Sequence, residues 1–309
     1  MGETPDLLIV GSVAFDTIET PRARAEHLLG GAATYAALAA AKWEIRPAVV
    51  GVVGEDFGED EFAILHSAGI DTTSLERRAG ETFRWSGRYL DDLNERETLT
   101  TELGVFAEFS PRVPEEQRGA PFVFLANIDP EIQLSLLEQL ERPRLIAADS
   151  MNLWLNTKRE AVLEVFSRAD LVLVNEDEAA LLKPGAGLRV VGEYLLSCGP
   201  DYAVVKRGEH GAVLVAREGM FLCPAYPVLQ VADPTGAGDT FAGGLMGYLA
   251  ATGEVSMEHL RRAIGLGTVA ASFCVEEFGV GGIREATLAE LCARYEELRQ
   301  MMDLPPLEG

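Results

Sequence analysis

Short apolar runs recur along the chain, and amphipathic stretches separate them. Residues 7–14 (Leu-Leu-Ile-Val-Gly-Ser-Val-Ala), 48–53, 122–126, 145–148, 171–174 and 202–205 are such runs. They are too continuous for half-exposed strands and too short for core helices, so they predict strands buried on both faces. Helical spacing fills the intervals: 30–41, 59–68 with Gly69 as its C-cap, 131–140, 159–168 and 188–198. This strand–helix rhythm predicts an α/β fold with a mostly parallel sheet covered on both faces, in one domain without a linker. Residues 82–109 break the rhythm. Phe83, Trp85, Gly87 and Tyr89 alternate with polar residues, a turn follows over 91–95, and 98–101 is a β-branched stretch. That alternation predicts an exposed antiparallel hairpin, suited to a lid, with residues 17–26 as a second lid piece. Beyond residue 225 the pattern predicts a strand over 226–231, a helix from Phe241, a small-residue helix over 260–272, a Gly-rich loop over 273–282 and an amphipathic helix over 284–302.

Composition narrows the function classes. The chain has 309 residues, 48% of them hydrophobic, and a formal net charge of -23. Such a surface repels nucleic acid and anionic membrane. It also repels a nucleotide at long range, so a nucleotide site here needs local donors and a metal ion. The four lysines are Lys42, Lys158, Lys183 and Lys206. This acidic, lysine-poor balance fits both a salty cytoplasm and an ordinary acidic cytosolic enzyme. Cys198, Cys223, Cys274 and Cys292 form no Cys-x-x-Cys pair, which argues against zinc and for reduced packing thiols. No run approaches a membrane span, and residues 7–10 are too short for a signal peptide, so the expected location is cytoplasmic.

The chemistry concentrates in residues 232–244, Ala-Asp-Pro-Thr-Gly-Ala-Gly-Asp-Thr-Phe-Ala-Gly-Gly. Gly236 and Gly238 permit positive φ and close approach of a ligand. The N–H groups of Gly236, Ala237 and Gly238 then stand at a helix N-terminus, an anion site. A carboxylate at Asp239 repels a phosphate unless it has a task of its own. It serves either as a general base that takes a proton from an attacking hydroxyl, or as a helix N-cap.

This segment resembles the C-terminal signature of the ribokinase-like (PfkB) kinases of sugars and nucleosides, and further motifs extend the resemblance over almost the whole chain. It implies a three-layer α/β/α fold with a small β lid, ATP as co-substrate and Mg2+ as cofactor. Asp16, past the first strand, matches a substrate-binding Asp, with a turn residue as the alternative. Gly30 and Gly31 match the N-terminal signature. Tyr35 stands where the family often has Asn, and reads as a stacking ring or as core. Asn152 belongs to a cluster after residue 149, in which Trp154 replaces the family's Arg. Asn175 and Glu178 match the Asn-x-x-Glu motif that helps position magnesium and phosphate; the alternative is a helix cap. Lys206, Arg207, Gly208 and Gly211 match a nucleotide-binding turn in which Lys206 replaces Thr. Thr235, Gly236 and Gly238 complete the ATP contacts. A monovalent cation near Asp233 and a homodimer through the lid are further expectations.

The resulting reading is transfer of the γ-phosphate of ATP to a primary hydroxyl, with Asp239 as base. Tyr35, Phe83 and Trp85 as stacking surfaces tilt the acceptor toward a nucleoside such as adenosine. A free sugar or polyol is the alternative within the class, and a sensor of nucleotide or sugar that does not turn over is the alternative outside it. A Rossmann dehydrogenase is disfavoured, because no Gly-x-Gly-x-x-Gly follows the first strand.

Overall fold

The computed structural model describes residues 4–90, 93 and 96–303; apart from Leu93, the predicted 91–95 turn lies outside the described residues. Seven strands form a parallel array: β1 (Leu7–Val10), β4 (Pro47–Val53), β5 (Leu75–Arg77), β8 (Phe122–Leu125), β9 (Leu145–Ala148), β10 (Leu171–Asn175) and β11 (Tyr202–Lys206). The antiparallel strands β12 (Ala212–Ala216) and β13 (Gly219–Cys223) extend one edge, giving the order β13-β12-β11-β10-β9-β8-β1-β4-β5. A second sheet, ordered β3-β2-β6-β7, is built from β2 (Ala14–Glu19), β3 (Arg24–Gly30), β6 (Phe83–Tyr89) and β7 (Arg96–Glu102).

The apolar runs are buried on both faces, as their continuity requires, and the parity of each position selects its layer. Leu7 and Ile9 enter one core cluster, Leu8 and Val10 the other. The first core is closed by α1 (Ala32–Ala41), α2 (Glu59–Ser67), α8 (Ala237–Thr252), α9 (Met257–Cys274), α10 (Gly281–Glu285) and α11 (Leu288–Met301). The second lies under α3 (Pro130–Leu137), α5 (Arg159–Arg168), α6 (Glu176–Leu182) and α7 (Leu188–Ser197), with the short α4 (Asn152–Thr157) at its rim. The result is the predicted three-layer α/β/α arrangement.

Two features bring the site together. The chain order reverses at β1, whose neighbours are β4 and β8, and ligands collect at the carboxyl ends of strands beside such a reversal. The small residues of α1 and α8 let these helices approach closely. A Cβ on Gly243 would stand 2.2 Å from the carbonyl oxygen of Ala36, so a side chain there would drive the helices apart.

Several boundaries differ from the sequence pattern. The first run is not one strand: β1 stops at Val10, and Ala14 already begins the second sheet. The helix expected from residue 30 begins at Ala32, where Ser12 supplies the caps: its Oγ accepts from Ala32 N–H at 3.1 Å and its carbonyl accepts from Ala33 N–H. Residues 226–231 pair in no ladder; Pro224 and Pro227 remove donors, and the strand lies earlier, at β13. The 284–302 helix is two helices, broken where Thr287 caps α11 through Glu290 N–H. Cys223 and Cys274 are buried free thiols, whereas Cys292 is exposed, not packed.

The second sheet is anchored to the main one by Asp56, which accepts from Thr82 N–H at 2.7 Å, Thr82 Oγ1 at 2.6 Å and Arg84 Nη2 at 2.8 Å. Asp56→Ala should therefore release the base of β6, since bonds to a charged acceptor contribute roughly 1.5–3 kcal/mol each. Hydrogen exchange followed by mass spectrometry should show faster exchange over residues 83–89 and unchanged protection in β8 to β11. Equal protection in wild type and variant would mean that the anchor lies elsewhere.

Candidate active site

The carboxyl ends of β9, β10 and β11 deliver Asp149, Asn175 and Lys206 to one place. Lys206 Nζ donates to Asp149 Oδ2, and both side chains are nearly buried. The same ammonium lies under the start of α8: a Cβ on Gly238 would be 3.3 Å from it. Burial pulls the Lys206 ammonium down, but the carboxylates of Asp149, Glu178 and Asp239 outweigh that and hold its pKa above the ordinary value. Lys206 is thus a permanent cation at the 232–238 loop, the phosphate loop of the family resemblance. Arg207 is not available in the same way, because its Nε is 2.7 Å from Glu176 Oε1. Gly208 and Gly211 form the tight turn after Lys206, closed by Arg207 N–H on the Gly211 carbonyl at 2.7 Å.

Gly236 is the N-cap of α8, at φ 74° and ψ 0°, a left-handed conformation that glycine adopts without strain. Ala237 N–H donates to the Pro234 carbonyl at 3.3 Å. This corrects the expectation of three free donors: among the described residues the N–H groups of Gly236 and Gly238 are the ones without an acceptor. Asp239 sits in the first turn of α8. Burial is the main cause that pushes its carboxyl up to about 6; Asp149 adds to the shift, and Lys206 and Arg96 oppose it.

Asp16 lies on β2, buried, with room for its carboxylate made by Gly30: a Cβ there would fall 2.0 Å from Asp16 Oδ2. Burial, then the charges of Asp233 and Asp239, push the Asp16 carboxyl up to about 7, against the Gly31 N–H and Arg96. Asp16 and Asp239 therefore face one small region between the second sheet and α8. Asp233 is fully buried, and its oxygens accept from Thr235 N–H at 2.8 Å and Gly279 N–H at 3.0 Å. These bonds tie the phosphate loop to the segment after α9, and Cys274 Sγ adds a contact to the Thr235 carbonyl at 3.5 Å.

Glu178 is buried in the capping box of α6: its oxygens accept from Asn175 N–H at 2.8 Å and from Asn175 Nδ2 at 2.9 Å. The cap reading holds, and the cap fixes a carboxylate that feels the charges of Asp149 and Lys206. Burial, then the charge of Asp149, raises the Glu178 carboxyl; Lys206 opposes. No group of three or more acidic, His or Cys side chains among the described residues forms a metal cage. Asp149, Asn175 and Glu178 are hard oxygen donors of the kind that suit magnesium keeping its waters and phosphate ligands. Asn152 opens α4, and its Oδ1 is buried without a partner among the described residues. Trp154, where the resemblance anticipates Arg, donates from Nε1 to Asn127 Oδ1 at 3.1 Å.

The aromatic stacking surfaces are corrected by the packing. Tyr35 is 1% exposed, and its ring lies beneath the phosphate loop: a Cβ on Gly236 would be 2.5 Å from the ring carbons. It is the floor of the loop, not a face for a base. Phe83 stacks on Phe106 at 5.4 Å, and the Trp85 ring is laid against Gly87 under the guanidinium of Arg96. Sequence reasoning missed Tyr89, whose hydroxyl meets Thr235 Oγ1 at 3.0 Å, and Arg96, its neighbour across the hairpin. The alternation of β6 placed Tyr89 on one face, yet nothing in the local sequence said what that face would meet.

The model of the pfkB family of carbohydrate kinases matches residues 5–286. The chain is 31% identical over 250 residues to the cytidine kinase of Thermococcus kodakarensis, covering 79% of this chain and 88% of the relative. It is 27% identical over 297 residues to the nucleoside kinase of Methanothermobacter thermautotrophicus, covering 90% and 92% respectively. A putative ribokinase II of E. coli, solved in complex with ATP and Mg2+, superposes with a TM-score of 0.76 at 17% identity, covering 96% of this chain and 100% of that one.

A carboxyl whose pKa is higher folded than unfolded binds its proton more tightly when folded, so its contribution to stability falls as pH rises between the two values. For Asp16 that window runs from 3.8 to about 7. Asp16→Asn should therefore raise Tm at pH 8, and the gain should shrink toward pH 5. A Tm below wild type at pH 8, measured without nucleotide, would refute the strained carboxylate.

Proposed function

The chain belongs to the pfkB family of carbohydrate kinases and is an ATP-dependent nucleoside or sugar kinase; from that premise we propose that its acceptor is a nucleoside and that Asp239 is the general base. The carrying observation is the place of Lys206 under the mouth of α8, 3.3 Å from where a Cβ on Gly238 would stand, with Asp239 the next residue of that turn. A carboxylate and an ammonium share one anion site, so one takes the hydroxyl proton while the other meets phosphate. Asp16 orients the acceptor by accepting from its vicinal hydroxyls. The attacking primary hydroxyl gives its proton to Asp239. Its oxygen forms the new bond to the γ-phosphorus as the bond to the β–γ bridging oxygen breaks, and ADP leaves with that electron pair. The N–H groups of Gly236 and Gly238 and the ammonium of Lys206 stabilise the charge on the phosphoryl oxygens. Asn175 and Glu178, with Asp149 beside them, would hold magnesium through water, and bound magnesium would neutralise charge on the phosphate oxygens. Thr235, Gly208 and Gly211 line the nucleotide side in this reading, and Asn152 the acceptor side.

The second sheet is the lid in this reading, over residues 14–30, 83–89 and 96–102: more than the sequence piece 17–26 and less than the piece 82–109. The Tyr89–Thr235 bond supports this, since it joins the sheet to the phosphate loop. Closure excludes water, which otherwise competes as acceptor. The outer strand β7 is exposed along its length, an edge suited to pairing with a second copy in a homodimer through the lid. A monovalent cation near Asp233 belongs to the same reading: that carboxylate is buried without a cationic side chain bonded to it among the described residues. A cytoplasmic location also fits; no helix of the described residues is long and apolar enough to cross a membrane.

The nucleoside preference draws support from the cytidine kinase and nucleoside kinase relatives, not from the aromatic residues. A free sugar is the second reading, favoured by the covering of Tyr35, Phe83 and Trp85 by other groups. Turnover of cytidine, adenosine and ribose with ATP separates the two. The same assay tests the base. Asp239→Asn should lower kcat by about 10²- to 10⁴-fold. The wild-type kcat/KM should fall as pH drops through 7 to 6, because the base must be deprotonated and its carboxyl is pushed up to about 6. An Asp239→Asn enzyme within tenfold of wild type would remove the assignment.

A further inference from the structure

A cavity of about 600 Å3 opens between β13, the first half of α9 and the end of α11. None of its lining residues belongs to the site described above. Cavities of roughly 300–1,000 Å3 hold small molecules. Phe221, Tyr295 and Met257 form walls of two rings and a thioether, soft surfaces for a planar body. The Tyr295 ring lies directly on α9: a Cβ on Gly265 would stand 2.7 Å from its Cε2.

Charge is set around this apolar interior. Arg261, Arg262 and Arg299 line the cavity, in a chain whose net charge is -23. Arg262 is paired with Glu258, and Arg299 with Glu296 through Nε at 2.8 Å. Arg261 has no carboxylate ion pair among the described residues; its guanidinium stands over the Phe221 ring, 5.7 Å from the centre. A guanidinium stacked on a ring keeps its N–H fork open to an anion. One unpaired guanidinium fits a single phosphate better than a chain of three. Glu218 also lines the cavity and has no cationic side chain paired with it among the described residues, so its carboxylate is left to accept from hydroxyls.

We propose that this cavity binds a nucleoside monophosphate, with its base on the Phe221 and Tyr295 rings, its phosphate on Arg261 and its sugar hydroxyls on Glu218. Two of the walls lead to the nucleotide side of the active site. α9 runs from Met257 in the cavity to Cys274, whose Sγ bonds the Thr235 carbonyl at 3.5 Å, and the next carbonyl, of Val275, accepts from Ala232 N–H at 2.8 Å. β13 ends at Cys223, whose carbonyl oxygen would stand 2.0 Å from a Cβ on Gly211. A ligand that moves either wall is therefore felt at the phosphate loop and at the Gly208–Gly211 turn, and changes the affinity for Mg-ATP. The cavity stands as a site without the kinase reading; its link to Mg-ATP rests on that reading. Two sources share the ligand chemistry: the monophosphate that a nucleoside kinase makes, and one such as AMP made elsewhere.

The test follows hydrogen exchange by mass spectrometry on the full chain with CMP, AMP, cytidine or inorganic phosphate. Wild type is compared with Arg261→Gln and with Met257→Trp, which fills the cavity; Arg261 is exposed and Met257 half-buried. A monophosphate slows exchange over residues 219–223 and 257–265 in wild type. Arg261→Gln raises the concentration needed by about tenfold or more, the effect of losing one charged hydrogen bond, and Met257→Trp removes the protection. CMP acting at lower concentration than AMP marks the product as the source, and the reverse order marks the other; either supports the proposal. No protection of these segments in wild type overturns it. So does protection by phosphate alone equal to that by a monophosphate, which is an adventitious ion only, and so does protection undiminished in Arg261→Gln. Should Arg261→Gln lose native protection in β8 to β11, Met257→Trp decides in the same way. Calorimetric Mg-ATP affinity, measured without acceptor, reads the link: a monophosphate changes it about fivefold or more in wild type and not in the variants. No change, or an equal change in wild type and variants, which is competition at the active site, overturns the link. A wild type that binds no Mg-ATP overturns the kinase reading instead, and the exchange result still decides the cavity.

Discussion

A single buried ammonium allows the site to hold its negative charge. Asp149, Glu178 and Asp239 converge at the carboxyl edge of the sheet, and Lys206 is the cation whose charge each of them feels or bonds. Desolvating an ion costs several kcal/mol even after relaxation, and a buried pair repays this only with good geometry and further hydrogen bonds. Here those bonds are present: Asn175 covers Glu178, Ser150 N–H covers Asp149, and Lys206 completes the set. The parallel sheet makes this possible, because β9, β10 and β11 end side by side and place their last residues in adjacent positions. In a chain with net charge -23, this one buried ammonium is the charge that offsets three converging carboxylates.

The second constraint is steric. The phosphate loop turns at Gly236 because the Tyr35 ring leaves no space for a Cβ there, and α8 lies on α1 because Gly243 has none to offer. Tyr35 therefore links the N-terminal signature to the C-terminal one through packing, not through ligand contact. Its hydroxyl is buried without a partner among the described residues, a cost tolerated because the ring fills the space beneath the loop.

Much of the arrangement was legible in the sequence because it rests on local rules. Continuous apolar runs gave the parallel strands, and their parity assigned residues to the two cores. Glycines before Asp239 gave the anion loop, and the Asn175–Glu178 spacing gave the capping box. What could not be read was pairing over distance. The 226–231 run has strand composition, but Pro224 and Pro227 leave it without a ladder, and β12 already has β13 as its outer neighbour. Ser12 caps a helix twenty positions away. The four-stranded second sheet needs β2 beside β6, a parallel contact between segments more than sixty residues apart. Aromatic residues on an alternating strand look available for stacking until their neighbours are known, and here Phe106, Gly87 and Arg96 take those faces.

The raised carboxyls of Asp16 and Asp239 show how fold and chemistry are joined. Each is a charge that the folded chain holds at a disadvantage, largely because of burial. In the proposed reading that disadvantage is useful, because a base poised near neutrality removes a hydroxyl proton more effectively than one at the ordinary carboxylate value. It persists only because the surroundings are over-determined: Tyr35 beneath the loop, Asp233 tied to Thr235 and Gly279, and Tyr89 reaching in from the second sheet. Lys206 is fixed by the main sheet and Arg96 by the second one. The charge balance felt by Asp239 is thus set by groups from both sheets.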